Sequence, residues 1–187
     1  SDIYDDSMWL INLVENLLSV TRIEEGNVNL NVSEDLVDDV ITEALHHVNR
    51  RSIEHHIKVE NKEEYLLAKM DSKLMVQVVI NIVDNAIKYT PSGSDILIKT
   101  WKDGDKAVIS IADNGPGIPD DVKKRVFDMF YSGANKVADS RRSLGLGLAL
   151  CRSIITAHGG TISLSQNQPH GAVFRFTLPA EEVQWHE

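Results

Sequence analysis

The stretch from Gln77 to Thr90, Gln-Val-Val-Ile-Asn-Ile-Val-Asp-Asn-Ala-Ile-Lys-Tyr-Thr, constrains the fold more than any other part of the chain. Met75, Val78, Val79, Ile82, Val83 and Ala86 recur at helical spacing, which predicts a helix with an apolar arc that a core must cover. Asn81, Asn85 and Lys88 fall at i, i+4 and i+7 and share the opposite face. Two carboxamides and an ammonium in line suit a metal ion and a phosphate. They suit a solvated helix face as well, and the spacing alone leaves both readings open.

The arc needs partners, and a chain of 187 residues with 42% hydrophobic and 25% charged residues can supply them within one ordinary domain plus an appendage. No run reaches the roughly 18 apolar residues of a membrane span, and the N-terminus lacks a signal-peptide pattern. The one cysteine, Cys151, has no internal disulfide partner, which fits a reducing compartment; it reads as a small buried residue. A formal net charge of -9 argues against general nucleic-acid binding. Any polyphosphate would have to be held by local donors and a cation.

Residues 2 to 25 read as one helix, with Leu10, Leu13, Val14, Leu17, Leu18 and Thr21 as a near-heptad stripe and Gly26 as a stop signal. A single helix cannot bury that stripe alone, so it is expected to dock on the following domain or on a partner helix, the latter upstream. Asn27 to Val32 alternates as a short strand would, and Ser33 reads as the N-cap of a second helix carrying Leu36, Val37, Val40, Ile41, Ala44 and Leu45. Ile57 to Glu60 and Leu66 to Ala68 are strand candidates. Asp71 is placed to cap the central helix, and Pro91-Ser92-Gly93 ends it. Asp95 to Trp101 and Ala107 to Ala112 flank Asp103-Gly104 as a hairpin. A short basic helix is expected at about 120 to 128, a mobile loop over 131 to 144, a helix from Leu146 to His158, and closing strands at Thr161 to Ser165 and Ala172 to Leu178. These elements predict an α/β fold, a two-layer sandwich of a mixed sheet packed against helices.

Three further motifs carry chemistry. Asp113-Asn114-Gly115-Pro116-Gly117-Ile118 follows a strand, where a carboxylate can accept an exocyclic amine and glycines let a flat ring approach the backbone; alone it is also an ordinary tight turn. Gly145-Leu146-Gly147-Leu148 opens a helix, and N–H groups exposed at a helix start bind anions. It is neither the dinucleotide fingerprint nor a P-loop, because no strand immediately precedes it and no Gly-Lys-Ser/Thr follows. Phe127 and Phe130 at i and i+3 read as core residues anchoring the loop that follows.

In this order the motifs resemble the catalytic and ATP-binding domain of bacterial sensor histidine kinases, over about residues 30 to 180. The wording around Ala68 to Asp71 and Val83 to Pro91 is similar to the potassium-responsive members. The resemblance implies a Bergerat ATP-binding fold over 27–187, and for 1–26 the second helix of a dimerisation hairpin. It implies Asn85 as Mg2+ ligand with Asn81 assisting, Lys88 on phosphate oxygens, and Tyr89 along the adenine or ribose. Asp113 would take the adenine amino group between Gly115, Gly117 and Ile118. Gly145, Leu146, Gly147 and Leu148 would present N–H groups to the phosphates. Phe127 and Phe130 would anchor an ATP lid whose Arg141 or Arg142 could reach the γ-phosphate.

Related ATPases of this fold carry a Glu where this chain has Asn81, and an amide takes no proton at neutral pH. That argues for delivery of the phosphoryl group to another acceptor rather than to water. None of the seven histidines has an acidic residue and then a Pro behind it. His46, His47, His55 and His56 read as surface residues and His158 as a charge partner at a helix C-terminus, so the acceptor histidine is expected outside these residues. In the intact protein, a homodimer with its own hairpin, the phosphate would pass to a response regulator, and the domain would be the cytoplasmic part of a membrane-bound sensor. A nucleotide-sensing module with a decayed site, or an ATPase clamp of the same fold, remains an alternative. Gly171-Ala172 departs from the family's Gly-Thr and removes a hydroxyl near the nucleotide side of the sheet.

Overall fold

Asp71 decides where the central helix starts: its carboxylate accepts the Leu74 N–H at 3.4 Å, satisfying one of the donors that a first helical turn leaves unpaired. The computed structural model describes residues 30–48, 54–128 and 147–180, with Ser7, Ile11, Val14, Glu15, Leu18 and Arg22 as isolated helical positions. In chain order the elements are β1 (Ser33–Leu36), α1 (Val37–His47), β2 (His56–Asn61), β3 (Leu67–Met70) and α2 (Ser72–Lys88). There follow β4 (Asp95–Asp103), β5 (Lys106–Asp113), the short α3 (Asp120–Lys123), α4 (Gly147–Ala157), β6 (Ile162–Gln166) and β7 (Ala172–Pro179).

Five strands form one sheet in the order β2-β4-β5-β7-β6, with β2 parallel to β4 and the other pairs antiparallel; β1 and β3 form a separate antiparallel pair. The sheet is mixed and the helices lie against one face, as the sequence predicts. Alternation along β4 shows how: Ile96, Ile98 and Thr100 are buried, while Leu97, Lys99 and Trp101 are half-buried on the outer face. The expected arc of α2 meets that inner face and α1 and α4. Met75, Val78, Val79, Ile82 and Val83 are at most 1% exposed and join Ile41, Ile154, Ile155 and Phe176 in one core. Each such side chain contributes about 1.5–3 kcal/mol on burial.

Two expectations at the start fail. Residues 30–32 are not a strand, and residues 27–29 lie outside the described residues. The strand is Ser33–Leu36, paired with Met70 through Leu67. Ser33 therefore does not cap α1; its hydroxyl donates to the Asp35 carboxylate at 2.8 Å, and the cap position is Leu36, without a side-chain bond. The Val37 N–H donates instead to the Leu66 carbonyl at 2.9 Å. A backbone partner distant in sequence does the work assigned to a hydroxyl.

Two histidines also differ from expectation. His158 bonds the backbone through both ring nitrogens: Nδ1–H donates to the Ile154 carbonyl at 2.7 Å and Nε2 accepts the Asp71 N–H at 2.9 Å. It ties the end of α4 to the start of α2 rather than acting as a charge at a helix terminus. His55 is buried, not a surface residue. Its Nε2–H donates to Thr90 Oγ1 at 2.9 Å, and that hydroxyl donates to the Ala86 carbonyl at 2.6 Å. His46 and His47 are exposed, as expected.

Candidate functional site

The end of α2 meets the turn after β5, where Thr90 lies against Gly115, two residues beyond Asp113; Asn81, Asn85 and Lys88 stand on α2, with Tyr89 at its C-cap. Asp113 is buried. Its Oδ1 accepts two backbone N–H groups, from Gly115 at 3.0 Å and from Ala172 at 3.2 Å. Its second oxygen takes no bond from the described residues. A carboxylate fixed by one oxygen and open at the other suits an incoming N–H donor such as an exocyclic amine. The position with the missing hydroxyl, Ala172, keeps a polar role through its backbone.

The turn after Asp113 is clasped from both sides. From the β6–β7 connection, Asn167 Nδ2 donates to the Asp113 carbonyl at 2.8 Å and His170 Nδ1–H donates to the Gly115 carbonyl at 2.9 Å. From the end of α2, Thr90 packs so tightly that a Cβ on Gly115 would stand 2.6 Å from its methyl group. Gly117 has φ +82°, a conformation that favours glycine, and a Cβ there would lie 3.3 Å from the Gly171 carbonyl oxygen. The glycines are therefore fixed by the protein's own packing, a reason beyond the access for a flat ring read from the sequence. Ile118 is half-buried against the core. Thr90, Asn167 and His170 carried no signal in the sequence, since each acts across the fold on a turn remote from it in the chain.

Asn81 and Asn85, one turn apart, differ in what they touch. Asn81 Oδ1 accepts the Gln77 amide N–H at 3.0 Å, and its Nδ2 donates to the Gly147 carbonyl at 3.4 Å. It joins α2 to the first residue of α4. Asn85 is half-buried, with no side-chain bond among the described residues, so its amide oxygen is available to a hard cation. The Lys88 ammonium lies 5.3 Å from the centre of the Tyr89 ring, and Tyr89 is 41% exposed. Phe127 meets Phe174 of β7 edge to face at 6.1 Å, anchoring the segment after α3 as expected. Leu148 is buried. Phe130, Arg141, Arg142, Gly145, Leu146 and the loop over 131 to 144 lie outside the described residues.

Cys151 is fully buried on α4, its thiol facing the Val78 carbonyl at 3.7 Å. Burial pushes the thiol up to about 12. The Asn81 side chain, hydrogen-bonded to the thiol, pulls the other way but does not offset burial.

Residues 70–182 match the model of a family described as histidine kinase-, DNA gyrase B-, and HSP90-like ATPase. The chain is 43% identical over 179 residues to a sensor protein KdpD of Clostridium acetobutylicum, covering 96% of this chain and 20% of that protein. To a sensor protein KdpD of Escherichia coli it is 34% identical over 191 residues, covering 100% and 21% respectively. The chain thus spans about a fifth of the curated relatives it matches. Among solved structures, the catalytic domain of histidine kinase ThkA superposes with a TM-score of 0.69 at 31% identity, covering 80% of this chain and 95% of that one. ThkA in complex with response regulator protein TrrA gives 0.69 at 29% identity, covering 91% and 49%.

Proposed function

This chain belongs to the histidine kinase-, DNA gyrase B- and HSP90-like ATPase family as a histidine kinase catalytic domain, and we propose that it binds Mg2+-ATP between α2 and the β5 turn for transfer of the γ-phosphate to a histidine outside these 187 residues. The observation that carries the reading is Asp113, held by Gly115 and Ala172 with one oxygen open. Asp113 accepts the adenine amino group, with Gly115, Gly117 and Ile118 bordering the ring and Tyr89 beside it. Asn85 would hold the metal through its neutral amide oxygen, with Asn81 assisting, and Lys88 would meet a phosphate oxygen. Mg2+, when bound, offsets the charge of the phosphates. Gly145, Leu146, Gly147 and Leu148 would present N–H donors to the phosphates, and Phe127 and Phe130 would anchor a lid over 131 to 144 whose Arg141 or Arg142 reaches the γ-phosphate.

Phosphoryl transfer is catalysed by positioning and electrostatics, so this donor set needs no covalent nucleophile of its own. Asn81 orients α4 and cannot act as a base towards water. We assign 1–26 to the second helix of a dimerisation hairpin; among the described positions, Ile11, Val14 and Leu18 are helical, at the spacing of one stripe, and about half exposed, which supports that reading. The intact protein would be a homodimer in which that hairpin carries the acceptor and a response-regulator aspartate receives the phosphate. The solved ThkA–TrrA complex supports that partner class. Potassium is the stimulus suggested by the likeness to sensor proteins KdpD. No helix among the described residues is long and apolar enough to cross a membrane; attachment would lie elsewhere in the intact protein, with this domain on the cytoplasmic side.

The test is calorimetry with a non-hydrolysable ATP analogue and Mg2+, followed by incubation with γ-labelled ATP. Nucleotide binding without acid-labile label on the protein is expected. No binding at millimolar nucleotide would sink the nucleotide site, and a phosphohistidine on this chain would place the acceptor within it.

A further inference from the structure

The outer face of the sheet, away from the helices and from the α2 residues of the nucleotide site, holds an open basin of about 480 Å3, within the size range of small-molecule sites. Its floor is Leu97, Ala112 and Val173, and at one end Lys62, Lys99 and Arg175 surround Trp101. Register makes the arrangement a row: Lys99 of β4 pairs with Ser110 of β5, and Ser110 pairs with Arg175 of β7. With strands spaced about 4.8 Å apart, the two cations straddle the serine. The Arg175 guanidinium carbon lies 5.2 Å and the Lys62 ammonium 5.7 Å from the centre of the Trp101 ring, so the indole braces both.

Two details mark this end as a site rather than a solvated lysine patch. Ser110 is 6% exposed and lines the basin, and no described group bonds its hydroxyl. The three cations also lack a carboxylate among the described residues, although the chain as a whole is acidic. Glu60 is paired with Lys99 across the β2–β4 register, yet its carboxylate turns to Lys58 at 3.6 Å. At the far end the polar groups serve one another. Asn114 bonds both the N–H and the carboxylate of Asp95, and Asn167 bonds the Asp113 carbonyl and the Gln168 N–H. Asp113, the adenine-reading residue of the proposed nucleotide site, also lines this far end, its Oδ1 taken by Gly115 and Ala172, so the cationic end is the part of the basin that the nucleotide reading leaves without a role.

We propose that Lys99, Ser110 and Arg175, with Lys62 and Trp101 above them, form a second anion site, for the phosphate group of a small phosphorylated ligand. Both cations offer charge-assisted hydrogen bonds to its oxygens and the serine hydroxyl a third contact from below. The test uses the full chain with Trp9→Phe and Trp185→Phe, leaving Trp101 as its only tryptophan. Inorganic pyrophosphate is titrated without Mg2+, and in a second arm vesicles of phosphatidylglycerol are compared with vesicles of phosphatidylcholine. A saturable change in Trp101 emission is expected with pyrophosphate. It should weaken about tenfold or more in Lys99→Gln/Arg175→Gln, and stay unchanged in Lys58→Gln and Lys88→Gln, all with unaltered thermal unfolding. Saturation only with phosphatidylglycerol, lost in the same double variant, assigns the phosphate to a lipid headgroup. Three results overturn the site: no saturation in either arm, an equal loss in Lys58→Gln, or retention in the double variant with loss in Lys88→Gln.

Discussion

Asp113 shows how much one side chain can carry when the backbone around it is fixed. Two N–H groups hold one oxygen, and the same turn is bonded at the Asp113 and Gly115 carbonyls by Asn167 and His170. Gly115 has no room for a methyl group beside Thr90, so Gly115→Ala should cost about 1–3 kcal/mol through overpacking and weaken nucleotide binding. Thermal unfolding and calorimetry with an ATP analogue measure the two effects separately. Cys151 offers a pH test. With its thiol pushed up to about 12, the folded state favours the protonated form. The stability this gives is complete below the ordinary thiol range and is lost as pH rises through that range towards 12. Because the thiolate is the nucleophile, alkylation of the native chain at pH 9 should be slower than that of the urea-unfolded chain by about a hundredfold or more. Equal rates in the two states would contradict the buried geometry. Asp113, Gly115 and Gly117 were legible because strand-end carboxylates and clustered glycines have local signatures. Thr90 and His170 were not, since neither a threonine after a helix nor a histidine in a turn announces what lies across the fold.

At the scale of elements, α2 carries a buried arc, and its periodicity displays that arc in full. Every residue of the apolar arc from Met75 to Ala86 is buried. Ile82 is completely buried, with core neighbours on the sheet and on α4, so Ile82→Ala should destabilise by about 2–5 kcal/mol, measured as a shift in the urea midpoint at constant slope. The same substitution lies one residue from Asn81, so nucleotide affinity should fall as well if the helix shifts in its bed. The first strand and helix were misread because a serine followed by acidic residues is a sound local cap signal, yet Ser33–Leu36 found a ladder partner in Leu67–Met70. Local propensity of a few tenths of a kcal/mol up to about 2 yields to a set of backbone hydrogen bonds. The link from His158 to Asp71 belongs to this scale too: it couples the helix bearing Gly147 to the helix bearing Asn85.

For the whole molecule, charge sets the conditions of binding. A chain of net charge -9 repels a polyphosphate, and only a few cations and helix-start donors oppose that repulsion locally. Chelating Mg2+ should therefore lower the affinity for an ATP analogue by about tenfold or more, roughly 1.4 kcal/mol, and calorimetry with and without chelator checks it. An affinity indifferent to Mg2+ would remove the metal role from Asn85. The sequence by itself determined the helix arc, the hairpin at Asp103-Gly104 and the mixed α/β class. Each of these rests on spacing within one element or on motifs in series along the chain. Only the tertiary structure decided that β1 is a strand, that His55 and His158 are backbone and hydroxyl partners within the fold, and that the β6–β7 turn holds the Asp113 turn in place. The row Lys99–Ser110–Arg175 likewise exists only through strand register. Contacts between residues dozens of positions apart depend on which face and which partner each strand acquires, and that choice is made by the packed core as a whole.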